Sequence, residues 1–238
     1  MLNDDDVSRI LVVTAHPDDV DFGAAGTVAT WTAEGREVAY CGVTDGDAGG
    51  FDPDVPRSEI PAIRRAEQMA AANTVGVTEI TFLGYPDGRL ESSVALRRDL
   101  SRVIRHFRPN RLVCQSPERS WERIYASHPD HLAAGEAAVC AVYPDARNPF
   151  AHPELAAEGL EPWTVSELWM MAGPSVNRWV DTTDQIQRKV AALLCHESQI
   201  ADPDSLRKRI ESWGASTAEG GGLGEGRLAE AFRVIDTA

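Results

Sequence analysis

The chain reads as an α/β protein, a mostly parallel sheet flanked by helices, with a less regular α+β part at its C-terminal end. Three observations predict this. Short β-branched runs alternate with stretches of helical period through the first 143 residues. The runs are apolar at nearly every position rather than every second one, as strands covered on both faces must be. The resulting order, strand then helix four times over, calls for parallel neighbours joined by crossover helices.

Taken in order, Arg9–Ala15 (RILVVTA) is the first strand. Ala24 to Glu34 follows as a helix, stopped by Gly35 at the position where a left-handed residue ends helices. Glu37–Thr44 is the second strand and Ile60–Val75, rich in Ala and Arg, the second helix. Glu79–Leu83 is the third strand; Val94–Phe107 is the third helix, with Ser93 available as its cap. Arg111–Gln115 and Leu132–Tyr143 complete the alternation. Beyond it, Val165–Ala172 and Arg178–Asp181 read as strands, and Asp184–Ser198, Pro203–Trp213 and Glu225–Ile235 as helical stretches. Pro144–Pro162, with its many Pro and Ala residues, reads as a loop. Ala218–Gly226 (AEGGGLGEG) lacks the spacing and the preceding strand of a phosphate-cradling loop, so it reads as a flexible turn.

At 238 residues the chain suits one domain over 1–238, with 1–143 as its core and 144–238 as an elaboration. Hydrophobic residues make up 43% and charged residues 25%, which supports a proper core and argues against wholesale disorder. A formal net charge of −14 repels phosphate backbones and anionic lipid. Nucleic acid and membrane are therefore poor partners, and a neutral small molecule is the better fit. No apolar run approaches the roughly 18 residues of a transmembrane helix. The acidic start, Met1-Leu2-Asn3-Asp4-Asp5-Asp6, differs from the basic start of a secretory signal, and a cytoplasmic protein is expected. Cys41, Cys114, Cys140 and Cys195 are scattered without a CxxC pair and read as reduced thiols.

The chemistry concentrates at two strand-to-helix junctions. After the first strand comes Thr14-Ala15-His16-Pro17-Asp18-Asp19, where a nucleotide-binding sheet would carry glycines. Here an imidazole and two carboxylates stand instead, on a turn stiffened by Pro17. On their own the carboxylates could be helix caps. The second cluster, Ser127-His128-Pro129-Asp130-His131, follows the fourth strand and opens the fourth helix on the same edge of the sheet. Two His–Pro–Asp motifs at two such junctions point to one convergent site. Two His and a carboxylate with an open position are what a catalytic zinc ion takes. The open position would hold a water of lowered pKa, a free carboxylate could take its proton, and a spare His could stabilise the oxyanion or protonate the leaving amine. Phosphoester hydrolysis needs similar parts, so the ligand types do not choose the bond.

AHPDD after a first strand, with HPDH more than a hundred residues later, resembles the LmbE-like family. That family includes the N-acetylglucosaminyl-phosphatidylinositol de-N-acetylases and the deacetylases of mycothiol and bacillithiol synthesis. Arg64-Arg65-Ala66-Glu67, Leu83–Gly88 (LGYPDG) and Lys189–Gln199 (KVAALLCHESQ) extend the likeness over residues 9–200. The resemblance implies a Rossmann-like fold and one divalent metal per chain, usually Zn2+, cleaving an N-acyl group from an N-acetylglucosamine-type sugar. It also implies His16, Asp19 and His131 as metal ligands, Asp18 as general base and His128 as the residue that stabilises charge or donates a proton. Arg64 and Asp87 fall where relatives contact the sugar, although Arg64 suits an exposed helix face and Asp87 a turn with Gly88. Several relatives assemble, which makes a homo-oligomer an expectation. Asp45, Asp47, Trp121, Tyr125 and His196 are further candidates without an assigned role. His106 and His152 read as structural. The rivals are another metal hydrolase, acting on a phosphoester or peptide, and a metal- or glycan-binding protein without catalysis. Neither HExxH nor the GxSxG elbow of a serine hydrolase is present.

Overall fold

The structure is a computed structural model that describes Leu2–Ala238. Seven strands form one sheet: β1 Arg9–Thr14, β2 Glu37–Thr44, β3 Glu79–Tyr85, β4 Arg111–Gln115, β5 Glu167–Met171, β6 Arg178–Asp181 and β7 Ala229–Asp236. Their spatial order is β3-β2-β1-β4-β5-β7-β6. The first five run parallel, and β7 pairs antiparallel with both β5 and β6. The helices are α1 Asp19–Gly23, α2 Ala25–Ala33, α3 Ile60–Thr74, α4 Val94–Phe107, α5 Pro129–Cys140, α6 Pro153–Ala157, α7 Ile186–Leu194 and α8 Pro203–Gly220. Among the described residues no helix is long and apolar enough to cross a membrane.

The continuous apolar runs are explained by the two layers of core. Leu11, Val13 and Ala15 of the first run point into one core with Leu96, Leu100, Ile104, Leu112 and Ala137. Ile10 and Val12 point the other way, among Val28, Trp31, Tyr40, Ala72 and Trp169. Successive side chains of a strand face opposite ways, so a strand covered on both sides must be apolar throughout. The expected cap of α4 is present: the Ser93 hydroxyl accepts the Leu96 N–H at 3.1 Å.

One expected element is wrong. Glu225–Ile235 reads as helical, yet Ala229–Asp236 is a strand. Glu230, Phe232 and Val234 are its inward residues, and Glu230 hides the period-two alternation because it is an inward carboxylate. It accepts the Gly26 and Thr27 N–H groups at 3.0 and 2.7 Å and lies 2.5 Å from Lys189 Nζ. Lys189 also donates to the Phe22 carbonyl at 2.7 Å, so this buried ion pair ties α1 and α2 to α7 and β7. The Pro144–Pro162 loop contains the short α6, and buried Arg105 organises it by donating to the carbonyls of Asp145, Ala146, Asn148 and Ala151. His152 pairs with Asp145 at 3.4 Å, a structural role as read from sequence. The Gly-rich stretch begins inside α8, which runs to Gly220 before the chain turns.

Parallel sheets bind ligands beyond the carboxyl ends of their strands, where the strand order reverses. Here β1 leads on to β2 on one side, while β4 leads to β5 on the other. The crevice between their following loops receives His16–Asp19 from β1 and His128–His131 from β4.

Candidate metal centre

The turn after β1 is built around its own backbone. The Ala15 N–H donates to Gln115 Oε1 at 2.9 Å, and the Ala15 carbonyl accepts the Thr44 N–H and hydroxyl, both at 2.8 Å. The His16 N–H donates to Asp19 Oδ2 at 2.7 Å, which folds the turn back on itself. Asp18 precedes α1 at φ 100°, a left-handed conformation, and its side chain makes no capping bond. Capping therefore does not account for Asp18.

His16 Nδ1 lies 3.2 Å from His131 Nε2 and 3.3 Å from Asp19 Oδ2; His131 Nε2 lies 3.0 Å from Asp19 Oδ1. Ligand atoms about 2.0–2.1 Å from a zinc ion at tetrahedral angles stand about 3.3 Å apart. These spacings suit that ion, with the Asp19 carboxylate spanning the two rings, Oδ2 toward His16 and Oδ1 toward His131. The remaining ring nitrogens are engaged as well. His16 Nε2 faces Asp87 Oδ1 at 3.0 Å and Asp130 Oδ2 at 3.3 Å, and His131 Nδ1 faces the Ala126 carbonyl at 3.4 Å. Each outer partner suits a ring hydrogen on the outer nitrogen, the arrangement that orients histidine ligands. Two other groupings stand within ligand reach, His16–His128–His131 and His16–Asp87–Asp130. The second is less suited, because both Asp130 oxygens already accept backbone N–H groups, from Gly88 at 2.6 Å and Leu90 at 3.2 Å.

The electrostatics follow from this crowding. Burial alone would lower the His16 imidazole; the charge of Asp19 and the hydrogen bonds that the ring donates to Asp130, Asp19 and Asp87 outweigh it and raise the pKa to about 12. Burial likewise pulls against Asp19, yet the charges of His131 and His16 hold its carboxyl well below the ordinary range. Asp18 goes the other way. Burial and the neighbouring Asp19 charge push it up, against the pull of Arg64, His196 and His16. His128 caps α5, its Nδ1 accepting the Asp130 N–H at 3.2 Å, so the neutral ring carries its hydrogen on Nε2. Burial and the charges of His16 and His131 lower its pKa.

Of the residues expected to touch a sugar, Arg64 is buried beneath the turn. It donates to the Gly46 carbonyl at 3.1 Å and to the Pro17 carbonyl, and lies 3.4 Å from Asp18 Oδ2. Any side chain at Gly46 or Gly49 would come within 2.5 Å of its guanidinium, which explains why the loop there is glycine-rich. Asp87 does turn with Gly88, whose φ is 76°, and its buried carboxylate also faces His16. Asp45 pairs with Arg65, while Asp47 pairs with Arg57 and accepts the Asp87 N–H. Trp121 and Tyr125 stand exposed on the loop between β4 and α5. A cavity of about 620 Å³ is walled by Phe22, Tyr125, Lys189, Ile210, Trp213 and Glu230 among others, and none of the cluster side chains line it.

Sequence reasoning gave no role to Asp130, although the repeated His–Pro–Asp string was a signal for it. It also missed Gln68 and Asp21, and left His196 open. The KVAALLCHESQ stretch brings these together. His196 Nε2 lies 2.8 Å from Asp21 Oδ2, and the Ser198 N–H and hydroxyl both bond to Glu67 at 2.7 Å.

Comparison with known proteins identifies the family. Residues 11–142, more than half of the chain, match the family model described as PIG-L, GlcNAc-PI de-N-acetylase. The diacetylchitobiose deacetylase of Thermococcus kodakarensis is 32% identical over 197 residues, 83% of this chain and 72% of that protein. The structure of N,N'-diacetylchitobiose deacetylase from Pyrococcus horikoshii, complexed with its inhibitor MPG, superposes with a TM-score of 0.89 at 30% identity. It covers 98% of this chain and 85% of that one. The 4-carboxy-2-hydroxymuconate hydratase of Pseudomonas putida KT2440 superposes at 0.77 with 19% identity, over 96% of each chain, and shares the fold alone. Fold without site residues therefore does not choose the reaction. Sequence, site geometry and fold together make this chain a member of the PIG-L, or LmbE-like, family of de-N-acetylases.

Proposed function

We propose that this protein removes the N-acetyl group of an N-acetylglucosamine-type amino sugar by hydrolysis, with one divalent ion, Zn2+, held by His16, Asp19 and His131. The observation that carries the reading is that His16 Nδ1 and His131 Nε2 stand 3.2 Å apart, each within 3.0–3.3 Å of one oxygen of the Asp19 carboxylate, with their outer nitrogens engaged. Relatives named as diacetylchitobiose deacetylases support the choice of an amide over a phosphoester. The net charge of −14 supports it too, since it favours a neutral sugar.

When bound, the ion supplies a Lewis acid and lowers the pKa of a water toward neutrality. The chain's own residues do the rest. Asp18, whose carboxyl burial and Asp19 push upward, is matched to accept a proton from the attacking water. Arg64 stands beside it and keeps the carboxylate form accessible. His128, held by its Nδ1, presents Nε2–H to the oxygen of the acetyl group as charge develops there. Asp87 and Asp130 hold the His16 ring in place. The reading carries with it a soluble small-molecule substrate and a cytoplasmic setting. Acetate release from N-acetylglucosamine and diacetylchitobiose, with and without chelator, tests it. Release that stops on chelation and returns with zinc is expected; undiminished release from metal-free protein would refute it.

A further inference from the structure

Asp18 sits at φ 100°, a conformation that is unfavourable for a non-glycine residue and persists only where the surroundings enforce it. Two contacts enforce it. Gln68 Oε1 accepts the Asp18 N–H at 2.9 Å, and Arg64 donates to the Pro17 carbonyl. These are the two polar ends of one peptide bond, Pro17–Asp18. Arg64 and Gln68 are four apart on α3, so they share one face of that helix one turn apart. Together they grip the peptide plane from below, and the orientation of that plane sets φ of Asp18.

A second layer fixes which way the Gln68 amide points. Its Nε2 donates to Asp21 Oδ2 at 2.9 Å, which turns Oε1 toward the Asp18 amide. Asp21 is in turn held at 2.8 Å by His196. Asp21 and His196 are fully buried and Gln68 is 4% exposed, so water cannot substitute for these bonds. Four elements of sequence, the turn after β1, α1, α3 and the segment after α7, meet on this one peptide.

We propose that Gln68 is a positioning residue which, with Arg64, holds the Pro17–Asp18 peptide so that Asp18 keeps its left-handed backbone and its carboxylate stays beside the metal cluster. Asp21 and His196 orient Gln68. The proposal rests on the assignment of Asp18 as general base. It differs from a merely structural role because its effect must pass through Asp18.

A double-mutant cycle reads that path. Gln68→Met keeps length and volume but removes both hydrogen bonds; Gln68→Ala is a second replacement should the thioether fold poorly. Acetate release from diacetylchitobiose by the zinc-loaded protein gives kcat and KM, and mass spectrometry gives metal per chain. Gln68→Met is expected to lower kcat by about 10–10²-fold, the scale of a misplaced catalytic group, with KM and metal content nearly unchanged. In the Asp18→Asn background the same change is expected to lower kcat by no more than about twofold, since its target is already gone. Equal losses in both backgrounds, loss of metal, or an unchanged kcat in the otherwise native protein would each overturn the proposal. Should Asp18→Asn alone leave kcat untouched, the base assignment fails first, and that is seen before Gln68 is altered.

Discussion

Both ends of the sheet bury clusters of charge, and they are built differently. At the amino end, Arg111 of β4 is 1% exposed, with its guanidinium 4.2 and 5.2 Å from the Trp169 and Trp31 ring centroids. It bonds Asp4 at 2.7 Å and Glu167 at 2.9 Å, and Arg178 bonds the other oxygen of Asp4 at 2.8 Å. Glu167 also accepts the Leu2 N–H and the Trp169 indole N–H. Two carboxylates meet two guanidiniums there, and the charge closes on itself. At the carboxyl end of the same strands, Asp18, Asp19, Asp87 and Asp130 crowd around His16, and the positive charge that meets them comes from Arg64 and from the His16 and His131 rings, whose pKa values the carboxylates raise. The imidazole part of that charge is carried by protons, which a bound metal ion displaces from its ligands. A cluster balanced by guanidiniums alone holds the fold together; one at the mouth of the sheet that leans on imidazole protons, and is left unbalanced when they leave, is prepared for a ligand. The carboxyl groups record the difference. Burial raises the pKa of Asp4, but Arg111 overrides it and the result is a lowered one, whereas the Asp18 carboxyl is pushed up by burial and by Asp19 despite Arg64.

The largest expected effects test the unbalanced end. His16→Ala, Asp19→Ala and His131→Ala are expected to lose both metal and turnover, because a three-ligand site that loses one ligand holds its ion weakly. Asp18→Asn is expected to keep its metal and lose about 10²–10⁴-fold in kcat, the scale of a missing general base. His128→Ala, also with metal retained, is expected to lose about 10²–10³-fold, as for a deleted oxyanion donor. Metal per chain and acetate release, measured on all five variants, decide the assignment. A metal-free His128→Ala beside a metal-loaded His131→Ala would reverse the two histidines.

The balanced end should respond in the opposite currency. Arg111→Ala leaves Glu167 buried without its partner and is expected to cost about 3–5 kcal/mol of stability, with metal content and kcat per folded molecule unchanged. Urea unfolding alongside the acetate assay measures both. A fall in kcat without a fall in stability would show that the two clusters are not separate.

The smallest effects concern pH, and the two ends should differ in sign. The folded pKa of Asp4 is depressed, so its contribution is present above the ordinary carboxylate range and fades as pH falls through the folded value. The folded pKa of Asp18 is raised in the metal-free site, so its contribution is present at low pH and is lost as pH rises through the folded value. In chelated protein, Asp18→Asn is therefore expected to stabilise at pH 8 and to do nothing near pH 3. Asp4→Asn is expected to destabilise at pH 8 and to do nothing near pH 2. Unfolding midpoints at the two pH values check this, and a shared sign would remove the distinction between the clusters.

Much of this was legible in the chain alone. The strands Glu37–Thr44, Arg111–Gln115 and Arg178–Asp181 and the helix Val94–Phe107 stand where their patterns put them, because their neighbours in sequence set period and boundary. Trp31, Trp169 and Arg111 could not be joined by pattern, since they lie on three separate elements and meet only when the sheet is assembled. β7 was misread for a related reason. Glu230 breaks the apolar alternation, and its partners Lys189, Gly26 and Thr27 lie far away in sequence.

The residue types for a metal site, and the two junctions that carry them, were determined by the sequence. Local spacing after a buried strand puts His16, Asp18, Asp19, His128 and His131 on one edge, whatever the rest of the chain does. Only the tertiary structure decided how they face each other: which nitrogen of His16 turns inward, that Asp130 and Asp87 hold the outer one, and that Arg64 and Gln68 grip the Pro17–Asp18 peptide. The physical reason is that side-chain orientation and pKa depend on groups within a few ångströms. For Asp18 those groups come from positions 64, 68 and 196, which no local pattern connects.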